Sequence, residues 1–113
     1  MSSCETLLAS LRSGTHDQTL AGLYALDGSA DSLDRARERA IRVAEGFQTA
    51  FDPDGQADAA LFSGPGRTEI GGNHTDHQHG HVLCGSVDLD MLACAAPNGL
   101  NVIRILSEGY PAL

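Results

Sequence analysis

The chain has 113 residues, of which 42% are hydrophobic, and its formal net charge is −8, from 15 acidic and seven basic residues. This length predicts a single small domain with a modest core. The acidic balance argues against a nucleic-acid partner, because phosphate backbones attract basic surfaces. No apolar run approaches the roughly 20 residues of a membrane span, and no signal-peptide pattern begins the chain. We therefore expect a cytoplasmic globular protein with neither a nucleic-acid nor a membrane partner.

The N-terminal half is predicted to be helical. Ser2 and Glu5 have the S-x-x-E form of a capping box and predict a short first helix. Residues 19–25 predict a second helix. Residues 31–51 predict the longest one, since apolar side chains recur every three or four positions until the breakers at 53–55. The arginines of this third helix are expected on a solvated face.

The C-terminal half is predicted to form strands. Residues 59–63 should lead as a strand into a glycine-rich loop. Residues 82–96 and 100–107 should be strands joined by a hairpin at residues 97–99, because Asn-Gly is a strong hairpin signal. Asp88 and Asp90 alternate with apolar residues, which favours polar strand positions over a catalytic carboxylate pair. The predicted fold class is α+β, with a helical leader over residues 1–58 and a sheet domain from 59 to 113.

Residues 66–83 are the most informative segment of the chain. Four of the five histidines lie there, at positions 74, 77, 79 and 81. Arg67 offers a planar fork of donors suited to an oxyanion or phosphoryl group. Asp76 can accept hydrogen bonds from two neighbouring hydroxyls, and Asn73 and His74 add mixed donors and acceptors. This chemistry suits a small polyhydroxylated ligand with an anion close by. A His-rich metal site stays open as an alternative.

The string from Pro65 to Leu83 resembles a known family signature. It reads PGRTEIGGNHTDHQHGHVL and is similar to the galactokinase signature of the GHMP kinase superfamily. The resemblance continues through SVDLD at residues 86–90 and through IRILSEGYP at residues 103–111. It therefore covers about the last half of the chain, and its final part resembles a strand and turn of bacterial galactokinases.

The resemblance implies a role for each matching residue. Arg67 is expected near the anomeric hydroxyl, where it stabilises charge during phosphoryl transfer. Asn73, His74, Thr75 and Asp76 are expected to line a galactose pocket. The commoner family pattern has Glu at position 73, so a neutral amide replaces a charged acceptor on the hydroxymethyl side. Ser107 falls where the family has a residue near the nucleotide.

The resemblance also implies a reaction and its partners. It is the transfer of the γ-phosphoryl group of ATP to the C1 hydroxyl of galactose, with ATP and Mg²⁺ as cofactors. The chain contains no lysine and no phosphate-binding loop that would cradle ATP. We therefore expect the N-terminal piece of a galactokinase, inactive alone and completed by a C-terminal portion of the same protein. Two alternatives within the family stay open: a non-catalytic galactose sensor, and a kinase acting on N-acetylgalactosamine.

Three cysteines, Cys4, Cys84 and Cys94, complete the chemically notable residues. Their number is odd and their spacing does not match a zinc site. Reduced thiols are therefore expected.

Overall fold

The computed structural model describes residues 2–72, 79–111 and 113, and it is an α+β structure. The elements, in chain order, are β1 (Ser2–Ser3), α1 (Cys4–Arg12), α2 (Asp17–Tyr24), α3 (Ala30–Phe51), β2 (Asp58–Gly71) and β3 (Leu83–Ala95). The three predicted helices are confirmed, with ends that differ by one or two residues from their predicted limits at most of the termini.

The described residues divide into two compact units. The first comprises Met1–Leu61 together with Cys94–Leu113, and the second comprises Phe62–Ala93. The three helices belong to the first unit, and most of the paired length of β2 and β3 belongs to the second.

The core of the helical unit lies between α3 and the two shorter helices. Ala36, Ala40 and Ala44 form the buried stripe of α3, and their small side chains let α1 and α2 approach closely. Leu8 and Leu11 of α1 fill the space opposite. The period of three and four residues in the sequence therefore identified the correct face of α3.

Helix α1 starts one residue later than the capping-box pattern predicts. Ser3 is the N-cap, and its Oγ accepts a hydrogen bond from the Thr6 backbone N–H at 3.2 Å. Ser2 instead belongs to β1, where it pairs with Ala59 in antiparallel register. The prediction that Ser2 caps the helix is thus wrong, because a strand partner more than fifty residues away holds its backbone in the extended conformation.

The sheet has the strand order β1-β2-β3. Strand β2 does not end at residue 63, as predicted, but continues through Pro65 to Gly71. The two-residue β1 pairs only with Asp58 and Ala59. Further along, β2 has one described neighbour, β3, so the missing N–H of Pro65 can be accommodated on the open side.

The strand predicted over residues 100–107 is absent from the structure, so the hairpin predicted at 97–99 is wrong. The Asn98 side chain accepts a hydrogen bond from the Leu100 N–H and donates one to the Val102 carbonyl oxygen, both at 2.9 Å. Ile105 exchanges backbone hydrogen bonds with Leu113, not with a neighbouring strand. Hydrogen bonds to nearby residues thus satisfy backbone groups that would otherwise have paired with the second strand of a hairpin.

Candidate functional site

The candidate site lies on the hairpin formed by β2 and β3 within the unit Phe62–Ala93. Two contacts between the strands show their relative direction. The Ser63 hydroxyl donates to Asp90 Oδ2 at 2.5 Å, whereas Gly85, further back along β3, lies beside Ile70, further forward along β2. The two strands are therefore antiparallel.

Arg67 lies in the second half of β2, five residues before Gly72, which is the last described residue on this side of the loop. Its side chain is exposed and makes no ion pair with another described residue. A guanidinium held on a paired strand and open to solvent can meet an incoming anion without first breaking an internal salt bridge. This placement is compatible with the role expected of Arg67.

Close strand packing sets the position of the hairpin around Arg67. A Cβ added at Gly66 would lie 3.0 Å from Val87 Cγ2 and 3.2 Å from the Leu89 carbonyl oxygen. Such contacts are tighter than normal side-chain packing, so the glycine lets β3 approach β2 beside the arginine.

Asp90 has a structural role in the same hairpin. Its carboxylate accepts the short hydrogen bond from Ser63, and its side chain is partly buried, while Asp88 is exposed. This agrees with the prediction of polar strand positions. The cross-strand bond itself was missed by sequence reasoning, because residues 27 positions apart in the chain give no local signal of their pairing.

The loop that joins the strands contains the predicted sugar-binding residues. Asn73, His74, Thr75 and Asp76 lie outside the described residues, as does His77. The described ends of the loop are sharply bent: Gly72 has φ 110° and His79 has φ 61°. Of the histidine cluster, His79 and His81 are described. In the described part of the chain, no group of three or more His, Cys, Asp or Glu side chains is arranged to hold a metal ion.

Among the described residues of the hairpin's own unit, none is buried. Every described residue between 62 and 93 is exposed or partly buried, and Leu89 and Met91 are each 77% exposed. The position of Arg67 in this unit therefore depends on strand pairing and not on a hydrophobic core.

Ser107, the predicted nucleotide contact, belongs to the other unit. It is exposed, and its carbonyl oxygen accepts a hydrogen bond from the Tyr110 N–H at 3.0 Å. It borders a depression of about 270 Å³ whose other lining residues are Ile105, Tyr110, Pro111 and Leu113. The next residue, Glu108, is charged, and its Oε2 lies 3.9 Å from Nη2 of Arg42.

A second depression, of about 190 Å³, lies on the helical unit. It is lined by Tyr24, Ser32, Arg35, Ala36 and Arg39. Arg39 stacks over the Tyr24 ring at 5.8 Å, and Arg35 forms an exposed ion pair with Asp31. Arg35 and Arg39 thus already have partners in the protein. Arg35 is solvated as predicted, but the prediction of a solvated face is wrong for Arg37, which is only 26% exposed and pairs with Asp17 of α2.

Residues 45–97 match the galactokinase galactose-binding signature. The galactokinase of Lacticaseibacillus casei strain BL23 is 35% identical over 69 residues, which make up 61% of this chain and 17% of that enzyme. The galactokinase of Streptococcus suis strain 05ZYH33 is 33% identical over 66 residues, or 58% of this chain and 17% of the enzyme. The chain thus spans about a sixth of the length of these relatives. No solved structure matches it.

The matched segment contains the strand that carries Arg67. The matched segment includes the end of α3 and all of β2 and β3. In the described part of the chain, no helix has both the length and the apolar character to cross a membrane.

Proposed function

We propose that this chain, which belongs to the galactokinase family, contributes the galactose-binding segment of an enzyme that transfers the γ-phosphoryl group of ATP to the C1 hydroxyl of galactose. The observation that carries the proposal is the match of residues 45–97 to the galactose-binding signature. The exposed Arg67 on β2, at the approach to the loop, supports it.

In this proposal Arg67 is the catalytic residue of the segment. The transferring phosphoryl group spreads negative charge over its oxygens, and a preorganised guanidinium stabilises that charge. Because Arg67 makes no ion pair with another described residue, its donors can point at the anion when the sugar and nucleotide are bound.

The loop supplies the sugar contacts. Asp76 accepts hydrogen bonds from two adjacent ring hydroxyls, since an ionised carboxylate presents two oxygens. Asn73 and His74 hold the hydroxymethyl side, and Thr75 lines the pocket. We place these residues by the family resemblance, because they lie outside the described residues.

We propose ATP as the phosphoryl donor and Mg²⁺ as the ion that would neutralise the charge on its phosphates when bound. Ser107, which is exposed, is the nucleotide contact that the family resemblance implies for this segment.

Galactose binding by the 113-residue chain tests the sugar assignment, with saturation-transfer NMR as the measurement. Asp76→Ala leaves two hydroxyls unpaired in the pocket, at about 1–3 kcal/mol each, so the affinity for galactose should fall at least about tenfold. His79→Asn is the matched control, because asparagine tolerates the positive φ at this position and should leave the affinity within about twofold.

Two outcomes would contradict the proposal. One is a wild-type chain that does not bind galactose. The other is loss of binding in His79→Asn with binding intact in Asp76→Ala, which would favour the metal interpretation of the histidines. A coupled assay with galactose, ATP and Mg²⁺ completes the test. The chain alone should show no turnover above the buffer blank, because its sequence has no phosphate-binding loop.

A further inference from the structure

The two limbs of the signature loop meet at a narrow neck formed by Gly72, His81 and Val82. An added Cβ at Gly72 would lie 2.6 Å from the His81 carbonyl oxygen and 2.7 Å from Val82 Cα. Both are backbone atoms of the opposite limb, so rotation of a side chain cannot relieve the contact.

We infer that Gly72 is a positioning residue for galactose binding, an inference that rests on the proposed function. Its φ of 110° is a backbone conformation that residues with a Cβ rarely adopt. A substitution thus has to change the backbone angle and also push the two limbs apart. The residue after Gly72 is Asn73, the first of the proposed sugar contacts, so a shift at the neck moves the start of the pocket.

The neighbouring glycine shows that this requirement is specific to one position. A Cβ added at Gly71 would meet nothing within 4 Å, and Gly71 does not have a positive φ. Gly71 is the last residue of β2, whereas Gly72 lies just beyond the strand. Gly71→Ala is therefore a matched control that makes the same chemical change one residue away.

The returning limb has its own conformational constraint. His79 has φ 61°, the left-handed region that asparagine and glycine tolerate and that β-branched residues avoid. His79→Val should therefore disturb the same loop from its other end, without adding an atom at Gly72. This second variant keeps the inference testable if Gly72→Ala does not fold.

Hydrogen–deuterium exchange of the 113-residue chain tests the neck directly. In Gly72→Ala, the amides of residues 79–85 should exchange at least about fivefold faster than in the wild type, because the limbs can no longer meet. The amides of α1 and α3 should be unchanged, and Gly71→Ala should match the wild type throughout. Unchanged exchange at residues 79–85 in both Gly72→Ala and His79→Val would overturn the inference, whether or not the chain binds sugar.

A titration with galactose and its C4 epimer glucose tests the link from the neck to the pocket. Gly72→Ala should weaken galactose binding at least about fivefold and reduce the preference for galactose over glucose, with helix content unchanged. Gly71→Ala should retain both the affinity and the preference. If Gly72→Ala opens the neck but binds galactose as the wild type does, the positioning role is wrong while the proposed function stands. A wild-type chain that binds neither sugar would instead overturn the proposed function.

Discussion

The guanidinium of Arg37 holds the carboxylate of Asp17 through two hydrogen bonds, from Nε to Oδ1 at 2.9 Å and from Nη2 to Oδ2 at 2.5 Å. The pair joins the N-terminal half of α3 to the first residue of α2, and Nη1 of the same arginine donates to Asp34. The Arg37 and Asp17 side chains are only 26% and 30% exposed. Bidentate geometry and partial burial are the features of a strong ion pair.

Removing this ion pair should weaken the attachment of α2. We expect Arg37→Ala to lower the urea midpoint of unfolding clearly more than Arg35→Ala does. The pair of Arg35 with Asp31 is 70% and 80% exposed and spans one helical turn, so its loss should cost little. Circular dichroism during a urea titration measures both midpoints. Equal urea midpoints for the two variants would show that the Arg37–Asp17 ion pair does not contribute to the stability of the fold.

The same pair predicts a pH dependence of stability. Hydrogen bonds from Arg37 lower the pKa of Asp17 below its ordinary value of 3.8. A depressed folded-state pKa contributes stability that is present above the unfolded pKa and is lost as the pH falls through the folded one. The advantage of the wild type over Asp17→Asn should therefore be full near neutral pH and shrink below pH 3.8. In an Arg37→Ala background the advantage should be nearly independent of pH, and a persistent acid dependence there would contradict the assignment.

The N-cap of α1 is tested by two adjacent serines. Ser3→Ala removes the acceptor for the Thr6 N–H and should lower the free energy of unfolding by about 1 kcal/mol. Ser2→Ala changes a strand residue whose pairing with Ala59 uses backbone atoms, so it should cost less than about 0.5 kcal/mol. Urea denaturation of the two variants gives both values. A larger loss in Ser2→Ala would restore the capping-box prediction.

The three thiols should differ in reactivity. Burial, with a smaller effect of Cys4 nearby, raises the pKa of Cys94 to about 11, and burial also raises the pKa of Cys4. Cys84 is exposed. Because the thiolate is the reactive form, iodoacetamide at mildly alkaline pH should modify Cys84 first and the other two much more slowly. Peptide mass spectrometry follows each site, and urea should remove the difference. Equal rates in the folded chain would contradict the burial of Cys4 and Cys94.

The sequence by itself determined the helices and the location of the candidate site. The apolar repeat of residues 31–51 identified the buried alanine stripe of α3 because helical periodicity is local. The signature string likewise led to the segment that matches the galactokinases. Both inferences rest on residues close together in the chain.

Only the tertiary structure decided which backbone groups find partners across long distances. Ser2 could cap a helix or pair with Ala59, and residues 100–107 could form a strand or make local bonds. The choice depends on where another segment lies, and strand propensity does not specify that. The positions of distant segments also distinguish Gly72 from Gly71. Both residues are glycine, but only Gly72 lies so close to the backbone of His81 and Val82 that a Cβ is excluded.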